Sequence, residues 1–320
     1  MDFDSVARSR DLRRLHEKHG FDVLKWALFA LTVGFALFMF HREAINPQSD
    51  LCIHAGIASE FVFSDPHSIT SRIAYPAWHL CVSALYQLGL PLEWAAAGVS
   101  ALCKAIVFLL VHRFIKVMLI DDAPDWCVSL CTFLLMFVTP IRLFTLNPFV
   151  YRGVGSPTVW HNPTQQAVLV TALLCVPYTL HLWYEFERRL PEQGDRTMIP
   201  WSKVVVLAIL LMVSLACKPT FMQALIPAAA LFFLIEWIRH PKNSRYFMQI
   251  VLAYVPAVAY FLLQYLYYTG VVVPYTSGME FGVTWETAWL AVRSMLMMAA
   301  FPLFAIICGY RRGLFRDKAV

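Results

Sequence analysis

Between positions 41 and 80 the chain reads HREAINPQSDLCIHAGIASEFVFSDPHSITSRIAYPAWHL. Two carboxylates, Asp50 and Asp65, lie close in this stretch to two imidazoles, His54 and His67. Asp50 directly follows the polar turn Asn46-Pro47-Gln48-Ser49, where it can cap a short helix running from Leu51. His54, four positions on, shares its helix face. An aspartate and a histidine so placed can act as a general base, and Asp50 and Asp65 can also offer oxygens to a divalent cation such as Mg or Mn. The plainer reading makes both aspartates caps and Ser64-Asp65-Pro66-His67 an ordinary turn. We carry Asp50 and His54 forward as catalytic candidates, leave a metal role for Asp50 and Asp65 open, and read His67 as a turn residue.

A second polar stretch, NPFVYRGVGSPTVWHNPTQQ, covers positions 147–166. Gly153, Gly155 and the prolines give it a tight path, and Arg152, His161 and Asn162 place polar groups where an apolar run begins. An arginine beside a glycine-rich turn suits bidentate binding of a phosphate or pyrophosphate, although one that snorkels to a headgroup needs no such role. Lys218-Pro219-Thr220 interrupts the apolar stretch from Val204 to Ile238, which puts Lys218 where a lipid phosphate could meet it or where it merely anchors a turn. Arg72 and His79 mark the start of a further apolar stretch and complete the set of candidate substrate-binding and lipid-phosphate-binding residues: Arg72, His79, Arg152, His161, Asn162 and Lys218. Tyr75 and Trp78 beside them fit an aromatic belt. Lys104 and Arg142 fall in or near apolar runs, where charge is expensive and usually faces a cavity.

The elements that must position these groups are read from composition. Of 320 residues, 59% are hydrophobic and 15% charged. Soluble domains average about 45–50% apolar and about 25% charged, so lipid must cover part of this surface. The net charge of +5 is spread over short Lys/Arg clusters between apolar runs, a pattern that reports membrane orientation and excludes nucleic acid as a partner. The eight cysteines form no CxxC pair, so neither a disulfide framework nor a zinc knuckle is read. No small-residue cleavage site follows the first apolar run, Trp26 to Phe40, which is expected to stay as an anchor.

Apolar stretches at 22–40, 94–119, 126–146, 165–184, 203–217, 220–238, 247–268 and 289–309 are expected to cross the membrane as helices. If 75–90 does not cross, most Lys and Arg fall on the cytoplasmic side; if it does, every later cluster moves outside. The first arrangement obeys the excess of positive charge in cytoplasmic loops. It predicts an all-α polytopic transmembrane bundle of about eight spans over 22–310, in the plasma membrane. A basic segment 1–21 and a tail 311–320 both lie in the cytoplasm. The long loops 41–93, 147–164 and 269–288 then lie outside, with interfacial helices over 51–63 and 75–90. Loops of this length are usually functional or disordered, and no internal repeat points to a two-halved transporter.

This layout resembles the GT-C superfamily of membrane glycosyltransferases. A basic N-terminus, one span, an Asp just past it, surface helices and the Tyr75-Pro76-Ala77-Trp78-His79 entry carry the resemblance, as does Gly155-Ser156-Pro157-Thr158-Val159-Trp160-His161-Asn162-Pro163-Thr164. It implies transfer of a sugar from a polyprenyl-phosphate donor to an acceptor on the outer face. Asp50 would be the acidic residue of the first outer loop, and Arg152 or Lys218 would hold the lipid phosphate. Leu51 and Cys52 follow Asp50, so there is no paired acidic motif and metal dependence stays open. Three readings compete: a lipid-linked-sugar transporter or flippase, a non-catalytic subunit of an envelope-polysaccharide assembly complex, and a membrane acyltransferase using His54 or His161.

Overall fold

The computed structural model describes residues 23–119, 124–138, 160, 162–194, 197–268, 284–298, 303 and 307. Among them every regular element is helical, and the fold is an all-α bundle. In chain order the helices are α1 (Val23–Ala44), α2 (Asp50–Ser59), α3 (Pro66–Thr70), α4 (Ala77–Gln87), α5 (Leu92–Phe114), α6 (Asp125–Leu135), α7 (Pro163–Gln193), α8 (Trp201–Cys217), α9 (Thr220–Arg239), α10 (Ser244–Tyr268) and α11 (Trp285–Met298). A π-helical turn, Ile115–Leu119, prolongs α5, and a 3-10 turn, Pro241–Asn243, leads into α10.

A helix satisfies its own backbone polar groups, so apolar runs cross lipid in this form. Five described stretches are long and apolar enough to do so: Val23–Ala44, Leu92–Val117, Pro163–Gln193, Thr220–Arg239 and Pro241–Tyr267. α8 is a shorter apolar helix of 17 residues. The expected spans over 126–146 and 289–309 run beyond the described residues, and α6 and α11 are their described parts. α4 has 11 residues. At 1.5 Å per residue it is about 16 Å long, roughly half the thickness of a bilayer's hydrocarbon, and cannot cross it. Gly89, with a φ of 97°, turns the chain from α4 into α5. Amides of Gly89 and Leu90 donate to carbonyls of Tyr86 and Leu85, closing the end of α4.

Among the described residues two large apolar cores, with a smaller one around Phe108 and Met136, organise the bundle. One gathers Trp183, Phe186, Leu207, Leu211, Tyr246 and Phe247 among α7, α8, α9 and α10. The other gathers Phe40, Leu51, Trp78, Val82, Ala96 and Trp160 from α1, α2, α4, α5 and the entry to α7. Phe221, in the first turn of α9, packs against both. Gln264 of α10 joins them by hydrogen bonds as well, its Nε2 donating to the carbonyls of Ala74 and Leu215 at 2.9 Å each. Tyr260 adds a 3.0 Å bond to the Ala74 carbonyl. We call this the site end; at the opposite end α7 stops and α8 and α10 begin.

Two local expectations are corrected. Trp78 does not stand in an aromatic belt: it is buried, and its indole N–H donates to Ser100 Oγ at 3.2 Å. α7 runs nine residues past the expected end at 184, because the charges that read as a loop are paired along the helix. There the buried Glu185 bonds Lys203 and takes Arg189 Nη2 at 2.5 Å.

Candidate functional site

Asp50 opens α2, but it is not the cap. Ser49 holds that position, its hydroxyl accepting from the Leu51 amide at 3.2 Å. This corrects the sequence expectation, and it leaves the Asp50 carboxylate for another partner. Asp50 Oδ2 accepts from Asn162 Nδ2 at 3.2 Å, across 112 positions of sequence. Asn162 is itself the cap of α7: its Oδ1 accepts from the Gln165 amide at 3.1 Å and from the Thr164 hydroxyl at 2.7 Å. With the oxygen of that amide committed to α7, its nitrogen is directed to Asp50. The carboxylate thus meets two helix N-termini, its own and that of α7, where partial positive charge favours an anion.

Lys218 approaches from a third segment. It sits in extended conformation between Cys217, which ends α8, and Pro219, which leads α9. Burial lowers the Lys218 pKa below the usual lysine value, while the nearby charge of Asp50 pulls it back up. Asp50, Asn162 and Lys218 therefore form one charge-bearing group built from α2, α7 and the α8–α9 turn.

His54 lies one turn along α2 from Asp50, and its Nδ1 is 2.9 Å from Nε2 of His79 on α4. Ring contacts with Trp78, Phe61 and Tyr75 enclose His79, whose residue exposure is 0%. That burial, and then the charge of His54, push the His79 pKa down to about 3. His79 is consequently neutral at physiological pH. If His54 takes up a proton, neutral His79 has a lone pair to accept its Nδ1–H bond. His79 thus lies behind His54 and orients its ring, where the sequence had it as a substrate-binding residue.

The remaining candidates separate from this group. Arg72 pairs with Glu60 at 2.7 Å, with both side chains about half exposed. Asp65 caps α3, accepting from the His67 amide at 3.0 Å, and both residues are exposed as an ordinary turn requires. Arg152 and His161 lie outside the described residues, as does Arg142. Among the described residues no group of three or more His, Cys, Asp or Glu converges as a metal site.

The structure also brings in a pair that the sequence did not carry as a site. Trp160 packs edge-on against Phe35 and Phe40, at 5.5 and 5.3 Å between ring centres. The Lys104 ammonium lies over its ring, 5.4 Å from the centre. The signal in the sequence was a lysine inside an apolar run; its partner, 56 positions away in a polar loop, had no local signature. Compared with protein families, curated proteins and solved structures, the chain matches none of them.

Proposed function

We propose that the chain is a membrane glycosyltransferase of the GT-C type, moving a sugar from a polyprenyl-phosphate donor to an acceptor hydroxyl. The observation that carries this reading is the meeting of Asp50, Asn162 and Lys218 from three separate segments at one end of an apolar bundle. An acid oriented by an amide, with a half-buried cation beside it, suits a reaction in which a proton leaves one oxygen while charge builds on a phosphate. The Asp50 carboxylate takes the proton of the acceptor hydroxyl. The acceptor oxygen attacks the anomeric carbon, the carbon–oxygen bond to the donor phosphate breaks, and the phosphate leaves with the electron pair. Lys218 stabilises that phosphate. The site then faces outward from the plasma membrane with both chain termini in the cytoplasm, as the Lys/Arg distribution requires.

Asp50→Asn keeps the size of the side chain and an oxygen that can accept from Asn162, but removes the base. Transfer from polyprenyl-phosphate sugar in membranes should fall by about 10²–10⁴-fold, with unchanged protein level. Full activity in this variant would sink the reading. Mass spectrometry of the detergent extract should show a polyprenyl-phosphate lipid carried through purification.

A further inference from the structure

The described chain buries charge at several places and treats one of them differently. Glu185 is held by Lys203 and Arg189, and Glu236 by Arg239 at 2.6 Å with His240 near. Lys104 is 4% exposed, and among the described residues no carboxylate pairs with it. Its contact is the face of Trp160. An aromatic face offsets only part of what an ammonium loses on leaving water, so a buried lysine of this kind is incomplete without an anion.

Its position says which anion. Lys104 lies midway along α5, in reach of the loop that leads to α7. Cys103 beside it packs in the core that holds Cys217, the residue before Lys218. Ser100, one turn earlier, bonds Trp78 of α4. Trp160 stands two residues before Asn162, the partner of Asp50. The ammonium and the ring therefore belong to the apolar core whose chain neighbours, Asn162 and Lys218, carry the polar group at Asp50. An anion there needs an apolar carrier or a very small size, and phosphate is the group that both a lipid and free solution can bring.

We propose that the Lys104 ammonium, held in place over the face of Trp160, is the seat for a phosphate group brought to it by an isoprenoid lipid. The choice of lipid rests on the glycosyltransferase reading, but the seat itself is read by binding and not by transfer. The test compares the melting temperature of the full chain in detergent with added polyprenyl monophosphate, with polyprenol of the same length, and with inorganic phosphate. Wild type, Lys104→Met, Lys104→Gln and Lys104→Arg are melted in parallel.

The expected result is stabilisation of wild type and Lys104→Arg by polyprenyl monophosphate, with apparent affinity at least about tenfold weaker in both neutral variants. Polyprenol should not distinguish the four proteins. Without lipid, Lys104→Met should melt no lower than wild type, because it removes a buried charge and replaces it with an apolar chain. Stabilisation by inorganic phosphate alone, lost in both neutral variants, supports the seat and makes free phosphate its source. Equal responses to polyprenyl monophosphate in wild type and both neutral variants overturn the proposal. So does a pair of neutral variants that melt lower without lipid or fail to fold, since the lysine is then structural. The seat is scored by binding in the Lys104 variants and the transferase reading by transfer in Asp50→Asn, so the failure of one is distinguishable from the failure of the other.

Discussion

Where α7 ends and α8 begins, Glu185 is bracketed by Lys203 and Arg189, with His181 within 3.7 Å. Backbone groups around it are closed in the same way: Gln249 bonds both the amide and the carbonyl of Ile199, and Asn243 donates to the Gly194 carbonyl at 2.7 Å. At the site end the contacts are of a different kind. Asp50 accepts from the Asn162 amide and feels Lys218, His54 leans on a neutral His79, and Lys104 faces a ring. A closed network of opposite charges locks helices to one another. Groups that bring charge and burial together where several segments meet are candidates to meet a ligand. The two ends differ accordingly: one ties α7, α8 and α10 together, and the other carries the candidate side chains on the frame so fixed.

Exchanging the roles of the two carboxylates breaks this contrast most sharply. Asp50→Asn should abolish most transfer yet leave the melting temperature near that of wild type, since its bond to Asn162 survives. Glu185→Ala should do the reverse. It strands Lys203 and Arg189, whose side chains remain 34% and 27% exposed. Solvent screens the stranded cations, so the loss is about 2 kcal/mol rather than the larger figure for fully buried pairs. Thermal denaturation in detergent checks it, and the folded fraction of Glu185→Ala should retain activity. A large activity loss at unchanged stability would mean that the opposite end takes part in the chemistry.

Acidification probes the site end through His79. Its folded pKa is about 3, against an ordinary 6.5. Between these values the unfolded chain binds the proton that the folded chain refuses. The stabilisation is therefore fully present above pH 6.5 and is lost as pH falls below it. From pH 6.5 to 5 the loss approaches about 2 kcal/mol. Replacing His79 by Gln should flatten the dependence of melting temperature on pH over this window. An unaltered acid profile in His79→Gln would show that some other group sets it.

Much of this architecture was legible in advance because apolar length and the break at Lys218-Pro219-Thr220 are local signals. α8 ends at Cys217 and α9 starts at Thr220, as that break implies. Asp50 and His54 were legible for the same reason, since a four-residue spacing on a helix needs no tertiary information. The closing of α7 over Glu185 was not, because a charged run reads as a loop until its partner Lys203, 18 positions on, is in place. The pairing of His54 with His79 and of Lys104 with Trp160 was equally hidden. Each depends on how two helices or a helix and a loop are packed, and no spacing within one segment encodes it.

The smallest expected effect separates a residue that sequence had grouped with the site. Arg72 was counted among the candidate phosphate-binding groups, but its guanidinium pairs with Glu60 at 2.7 Å, and the two side chains are 54% and 50% exposed. An exposed ion pair contributes at most about 0.5–1 kcal/mol, and salt screens it further. Arg72→Ala should accordingly change the melting temperature by about a degree or less at moderate salt. It should leave the response to polyprenyl monophosphate within about twofold of wild type, where loss of Lys104 changes it by about tenfold. If Arg72→Ala instead weakened that response as strongly as Lys104→Met, the Glu60 pair would have to open when lipid binds. The site would then extend from the ends of α2 and α7 to the turn after α3, and the exposed rim would belong to the ligand-binding region along with the buried group.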